Sequence, residues 1–214
     1  MPKTTIGVVI ADTYPDKQVA RFAIERTLRE FPVGECLLLS DSCFVSGARH
    51  VEIDPLSNLS NYNELILDRL AVWTRCDLYL IVQWDGFVLD GQRWRGDFLS
   101  YDYIGAPWLH LGGTVGAGGF SLRSRRLIEA LQRLRQQESE RDIDTAEDLQ
   151  ICLKYRAVLE ARALRIAGTE LASAFAFERP FAASHSFSPA SLQSFGFHGV
   201  FNFPLVLAEE QILE

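Results

Sequence analysis

The sequence predicts an α/β fold, one domain built on a mostly parallel central sheet flanked by helices, and three observations carry that reading. Residues 4–11, 35–39 and 78–82 are short, almost wholly apolar runs rich in Val, Ile and Leu, the pattern of strands covered on both faces. The first two are separated by residues 16–31, in which Val19, Phe22, Ala23, Arg26, Leu28 and Phe31 fall at helical spacing. Each apolar run also ends in a polar tip: Asp12-Thr13, Ser40-Asp41 and Gln83-Trp84-Asp85. Strand, helix, strand is a βαβ unit, and its right-handed crossover brings the strand ends to one edge, where open α/β sheets hold their ligands.

The chain has 214 residues, of which 48% are hydrophobic and 23% charged, enough for one domain with a full core. A formal net charge of −7 excludes the broadly basic surface of a nucleic-acid-binding protein. Arg123, Arg125 and Arg126 cluster, and are read as the solvated start of a helix. The N-terminal apolar run is too short for a signal peptide or a membrane span, and no other stretch approaches a span. Cys36, Cys43, Cys76 and Cys152 are scattered and form no CxxC, as expected of reduced core thiols in a cytoplasmic protein.

Pro32-Val33-Gly34 stops the first helix. A short strand is expected at 49–53 and a helix at 61–75, with Tyr62 and Asn63 at its start facing the ligand edge. After the strand at 78–82 come a turn-rich region, 90–97, a segment at 102–108, and five glycines within 112–119. Those glycines make either a flexible turn or a backbone that something approaches closely. Residues 120–122 lead into a basic helix at 124–135, followed by a charged connector. A long helix is expected over 144–164, with Asp144 or Thr145 as its cap and Glu147 and Asp148 in a first turn that the helix dipole stabilises. The last fifty residues are aromatic-rich and read as strands and loops folding back over the core, Phe181 and Phe187 among them.

Several residues admit two readings. Asp85 is either a ligand for a divalent cation, a hard ion that takes oxygen donors, or part of an Asp-Gly turn. Asp12 and Ser40 either read a ribose or base edge or cap turns. His198 is a hydrogen-bonded core histidine or a ligand. Neither GxGxxG nor GxxxxGK[ST] occurs, so a nucleotide bound at this edge would need its diphosphate neutralised otherwise, and a metal at Asp85 is the nearest means.

Taken together, Tyr62-Asn63, Gln83-Trp84-Asp85, Tyr103-Ile104-Gly105-Ala106-Pro107-Trp108, Gly116-Ala117-Gly118-Gly119-Phe120-Ser121-Leu122-Arg123, Glu147-Asp148 and Phe195-Gly196-Phe197-His198 form a pattern. It resembles the GT-A type glycosyltransferases, and among them a family of small transferase-like proteins. The resemblance implies a Rossmann-like domain over 1–204, with a nucleotide-binding half (1–105), an acceptor-side half (106–204) and a tail at 205–214. It implies that Asp12, Thr13, Ser40, Asp41, Tyr62, Asn63, Gln83, Trp84 and Asp85 lie at a nucleotide-sugar, a UDP-sugar first among the candidates. Asp85 and His198 would hold Mn²⁺ or Mg²⁺; Gln83 stands where the family's DxD motif has its first aspartate. Gly118, Gly119 and Phe120 would lie against the transferred sugar or the acceptor, and Trp108 would stack on a sugar ring. Asp148, with Glu147 beside it, matches the general base of inverting members. The acceptor would be a hydroxyl of a glycan, a lipid-linked molecule or a small molecule, in the cytoplasm or at the inner face of its membrane. Two rivals remain: a binding module of the same fold without turnover, and an unrelated doubly wound hydrolase or phosphatase using Asp85.

Overall fold

The computed structural model describes residues 4–108, 111–178 and 193–203. At its centre is a six-stranded sheet. Strands β1 (Ile6–Ala11), β2 (Glu35–Ser40), β3 (Arg49–Glu52) and β4 (Leu78–Val82) are parallel, with β1 pairing β2 on one side and β4 on the other. Beyond β4, β8 (Phe120–Ser124) runs antiparallel to β4 and to β5 (Tyr103–Gly105), which closes the edge. The strand order is β3-β2-β1-β4-β8-β5. Short ribbons pair β6 (Pro107–Trp108) with β7 (Thr114–Val115), and β9 (Ala176–Glu178) in parallel with β10 (Gly196–His198).

The unbroken apolar runs have a direct cause. Side chains alternate across a strand: Val8, Ile10, Leu38 and Leu80 enter one core, while Val9, Leu37, Tyr79 and Ile81 enter a second on the opposite face. Helix α1 (Gln18–Glu30) contributes Ala20, Ala23 and Ile24 to the first core. Helix α2 (Leu59–Asn63) continues through a π-helical turn, Glu64–Arg69, whose Leu65 and Ile66 fill the second. The run ends at Val72, short of the expected 75, because the Tyr79 hydroxyl accepts the backbone N–H of Arg75 and of Cys76. Helix α3 (Arg125–Gln136) is capped by Ser124, whose Oγ accepts the Leu127 N–H at 3.0 Å.

The helix expected over 144–164 does not form as one piece. It is α4 (Glu147–Leu149), a π-helical turn (Gln150–Lys154) and α5 (Arg156–Ala161). Neither Asp144 nor Thr145 is the cap: Thr145 N–H donates to Asp142 Oδ1 at 3.0 Å, and Ala146 precedes the first turn. The inserted residue rotates the apolar positions out of phase, leaving Leu153 48% exposed, and Ala163 at φ 59° ends the segment. Among the described residues the last α-helix, α6, is Thr169–Phe175, a helix where strands and loops were expected. Its Phe175 packs with Phe98, Phe120 and Phe195, so these late aromatics fold over the core, whereas Phe201 stays 69% exposed; Phe181, Phe187 and the tail 205–214 lie outside the described residues. All four cysteines are free, and Cys43 is exposed rather than in the core. Among the described residues no helix is long and apolar enough to cross a membrane.

Candidate active site

From β1 the chain proceeds to β2 and β3 on one side, then returns to β4 on the other. The ends of β1 and β4 therefore flank the switch point of the sheet, where α/β folds leave a crevice. A cleft of about 780 Å³ opens there, walled by Ala11 to Asp16 after β1, by Pro55 to Ser57 after β3, by Val19 and Ala20 of α1, and by Trp84 after β4. Thr13 Oγ1 accepts the Leu56 N–H at 2.7 Å and ties two of these walls together. Tyr14 and Trp84 leave 71% and 42% of their surface exposed, two aromatic faces at the mouth.

One polar network joins the ends of β1 and β2 and reaches the cleft wall at Asp12. Asp12 is buried and accepts the Tyr14 N–H at 3.0 Å. Lys17 Nζ lies 3.3 Å from Asp12 Oδ1 and 2.9 Å from Asp41 Oδ1, and Ser40 Oγ donates to Asp41 Oδ1 at 3.1 Å. Burial raises the Asp12 pKa against the lowering effect of Lys17, whereas the hydrogen bond from Lys17 holds Asp41 low. Lys17 carries no signal in the sequence, where it is simply a lysine in the first turn of the helix expected over 16–31; the observed helix begins one residue later.

The second group gathers where β10 meets the end of β4. His198 Nε2 lies 3.3 Å from Asp85 Oδ1 and 3.1 Å from Gln83 Oε1, while Nδ1 lies 3.0 Å from Glu178 Oε1 of β9. The Gly199 N–H donates to the Asp85 carbonyl at 2.9 Å, fixing the two tips to each other. Burial by itself would lower the imidazole's pKa, but Asp85 and Glu178 raise it to about 10. Among the described residues no three His, Cys, Asp or Glu side chains form a metal cage. The residues do fit a partial site: Asp85 Oδ1 is buried without a hydrogen bond among the described residues, beside an imidazole nitrogen and an amide oxygen. Mg²⁺ is held in just this way, by one or two protein groups with the rest from ligand phosphates and water.

Between these groups and Glu147-Asp148 runs the backbone of Gly118 and Gly119. A Cβ on Gly119 would sit 2.0 Å from His198 Nε2 and 2.5 Å from Gln83 Oε1; one on Gly118 would sit 2.0 Å from Glu147 Oε1. The five-glycine stretch is therefore a close approach of backbone to side chains at this end. The Gly118 N–H donates to Asp148 Oδ2 at 2.9 Å, and the other carboxylate oxygen accepts the Leu149 N–H at 2.8 Å. Glu147 is buried and pairs with buried Arg123, Nη2 to Oε1 at 2.9 Å. Burial pushes the Glu147 pKa up against the lowering charge of Arg123. Arg123 is thus not part of a solvated helix start; only Arg125 and Arg126 are exposed.

Of the remaining expected residues, Asn63 is buried and its amide donates to the carbonyls of Ile143 and Thr145 at 3.0 and 2.9 Å, which holds the loop that delivers Glu147 and Asp148. The Tyr62 hydroxyl is buried, and Glu147 and Arg123 are close enough to act on its ionisation. Trp108 is 8% exposed with its ring against Gly116, and Phe120 is fully buried against Phe175 and Phe195. The fold thus brings together Gln83, Asp85 and His198, with Gly118 and Gly119 running from them to Glu147 and Asp148; Asp12, Thr13, Ser40, Asp41 and Trp84 stand at the cleft and the adjoining strand ends, and the Trp108 and Phe120 rings go into the core.

Over residues 47–198 the chain matches the model of the family described as Protein of unknown function (DUF5672), and it belongs to that family. No curated protein matches it. Among solved structures, a glycosyltransferase involved in the glycosylation of the major capsid of PBCV-1 superposes with a TM-score of 0.56 at 11% identity, covering 98% of this chain and 100% of that one. The galactosyltransferase LgtC, in complex with donor and acceptor sugar analogs, gives a TM-score of 0.51 at 15% identity over 91% of this chain and 87% of its own. An active-site mutant of LgtC gives 0.52 at 13% identity, with 95% of each chain covered. The fold is that of the GT-A glycosyltransferases.

Proposed function

We propose that the protein transfers a glycosyl group from a nucleotide-sugar, a UDP-sugar first among candidates, to an acceptor hydroxyl of a glycan, a lipid-linked molecule or a small molecule. The observation that carries this reading is the Gly118-Gly119 backbone, with Asp148 and Glu147 against one glycine and His198 and Gln83 against the other, beside a cleft at the switch point of the sheet. The nucleoside is held in the cleft, with Tyr14 and Trp84 as stacking faces and Asp12 and Thr13 facing the ribose or base, while fully buried Ser40 orients Asp41 beside them. Tyr62 and Asn63 support the other side of the site, where Glu147 and Asp148 lie.

The transfer inverts the anomeric centre. The acceptor oxygen attacks the anomeric carbon as its bond to the diphosphate oxygen breaks; the electron pair leaves with the diphosphate, and the acceptor's proton passes to Asp148. The Gly118 N–H holds Asp148 Oδ2, so the carboxylate is oriented before the acceptor arrives. A positioned base of this kind contributes about 10²–10⁴-fold. A divalent ion, Mn²⁺ or Mg²⁺, would be held by Asp85 and His198 and would supply positive charge to the diphosphate.

A binding module without turnover is the second reading, favoured by Gln83, a neutral residue where a carboxylate would add charge, and by an imidazole already engaged on both nitrogens. A thermal-shift series with nucleoside diphosphates and nucleotide-sugars, each with Mn²⁺, Mg²⁺ or EDTA, followed by assay of transfer and of slow donor hydrolysis, separates the two. A metal-dependent shift with turnover supports transfer; the same shift with no turnover supports the module. No shift with any donor rejects both.

A further inference from the structure

Among the described residues two arginines are 99% buried, and they differ in what they hold. Arg135 makes a two-point pair with Asp68, 2.9 and 3.0 Å, and joins α3 to the π-helical turn after α2. Arg123 ties the start of α4 to the stretch that leads into β8. Its guanidinium lies over the Tyr103 ring and serves the Gly118–Ser121 stretch and one counter-ion: Nη2 donates to the Gly118 carbonyl at 3.1 Å and to Glu147 Oε1 at 2.9 Å, and Nε donates to Ser121 Oγ at 2.9 Å. Ser121 Oγ in turn donates to the same Gly118 carbonyl at 2.8 Å. The N–H of Gly118 holds one oxygen of Asp148, and the N–H of the adjacent Leu149 holds the other.

We propose that Arg123, with Glu147 as its counter-ion, is a positioning residue that fixes the backbone of Gly118 and, through its N–H, the carboxylate of Asp148. The proposal rests on the transferase reading for its effect on rate. Three features support it. First, the ion pair is a poor device for stability alone. Arg123 Nη1 and Glu147 Oε2 are buried without a hydrogen-bond partner among the described residues, and a buried pair of that kind is commonly no better than apolar side chains of similar size. Second, Ala117, one residue before Gly118, sits at φ 51°, a left-handed conformation that a non-glycine residue keeps only where its surroundings impose it. The doubly bonded Gly118 carbonyl is such an imposition. Third, Gly118 has no room for a side chain, since its Cβ would meet Glu147. The counter-ion and the backbone it serves are therefore packed as one unit, and Glu147 acts through Arg123 rather than on substrate.

The test uses the full chain with the double variant Arg123→Met/Glu147→Leu, which removes both charges together, and Arg123→Lys, which keeps the charge but not the planar fork that reaches Gly118, Ser121 and Glu147 at once. Melting temperature, donor KM, kcat and hydrogen exchange at the Gly118 amide are measured for each. We expect the double variant to melt at or near the wild-type temperature and keep its donor KM. Its kcat should fall on the order of 10²-fold, the scale of a small misplacement of a catalytic group, and its Gly118 N–H should exchange faster. Arg123→Lys should fail to restore kcat or amide protection, and it carries the test alone if the double variant does not fold. Unchanged kcat with a protected Gly118 amide overturns the proposal, as does a loss of kcat that merely follows a loss of melting temperature. If the wild type transfers no sugar, the transferase reading fails separately; hydrogen exchange then still decides whether Arg123 fixes Gly118, faster exchange upholding that part and unchanged exchange rejecting it.

Discussion

The imidazole of His198 stands between two carboxylates, 3.3 Å from Asp85 on the Nε2 side and 3.0 Å from Glu178 on the Nδ1 side. The arrangement favours the charged imidazolium and raises its pKa from 6.5 to about 10. A pKa raised on folding gives stability that is complete below the unfolded value and lost as pH climbs through the folded one. Wild-type melting temperature should therefore decline from about pH 6.5 toward about pH 10 more steeply than that of His198→Gln. Parallel slopes in differential scanning calorimetry would remove the imidazolium from the account.

The same proton competes with metal. A divalent ion at Asp85 and His198 needs the neutral ring, so its apparent affinity should rise with pH over that window and its binding should release a proton. Asp85→Asn should abolish any Mn²⁺-dependent thermal shift by a nucleotide-sugar while leaving the metal-independent part. Retention of the full shift would place the metal elsewhere.

Asp148→Asn is expected to lower kcat by about 10²–10⁴-fold with nucleotide-sugar binding intact, because the amide keeps the shape and cannot take the proton. Activity near the wild-type level in this variant would reduce Asp148 to a partner of the Gly118 amide.

Gly119→Ala and Gly118→Ala should fail differently. A methyl at Gly119 meets the ends of His198 and Gln83, so metal-assisted donor binding should be lost first. A methyl at Gly118 meets Glu147 in its buried pair with Arg123, and forcing it in should cost about 1–3 kcal/mol of stability. Chemical denaturation together with donor titration distinguishes the two; equal effects on both readouts would contradict the assignment.

Lys17 links the ends of β1 and β2 through Asp12 and Asp41. Lys17→Met leaves buried Asp12 without its counter-ion and should destabilise by about 1–3 kcal/mol at neutral pH. The folded Asp12 pKa is already raised by burial, so the ionised form is the costly one; the penalty should shrink as pH falls through it and the carboxyl becomes neutral. Urea unfolding at neutral and acid pH measures this, and a penalty that grows on acidification would reverse the sign of the argument.

The strands at β1, β2 and β4 were legible because burial on both faces forces unbroken apolar runs, and the polar residues that end them mark the edge at which the cleft opens. Asp85, His198 and Asp148 could be picked out as residue types able to do chemistry. Their contacts could not. His198 meets Gln83 across a separation of 115 residues; Glu178 enters the site from a segment with no pattern of its own, and Lys17 from the start of a helical pattern that does not name its partners. The helix expected over 144–164 broke because a π-helical turn leaves no trace in spacing. Trp108 and Phe120 went into the core because an aromatic near a glycine loop has the same local signature whether it faces a sugar or other rings.

By itself, then, the sequence determined the α/β class, the parallel βαβ start and the edge of the sheet on which ligands would sit, since periodicity records how each segment divides its surface between core and water. The tertiary structure decided that β8 runs antiparallel between β4 and β5, that Arg123 and Glu147 are buried as a pair, and that Gly118-Gly119 runs between Asp148 and His198. Those outcomes depend on which distant polar atoms meet once the strand order is set, and no local pattern of residues encodes that order.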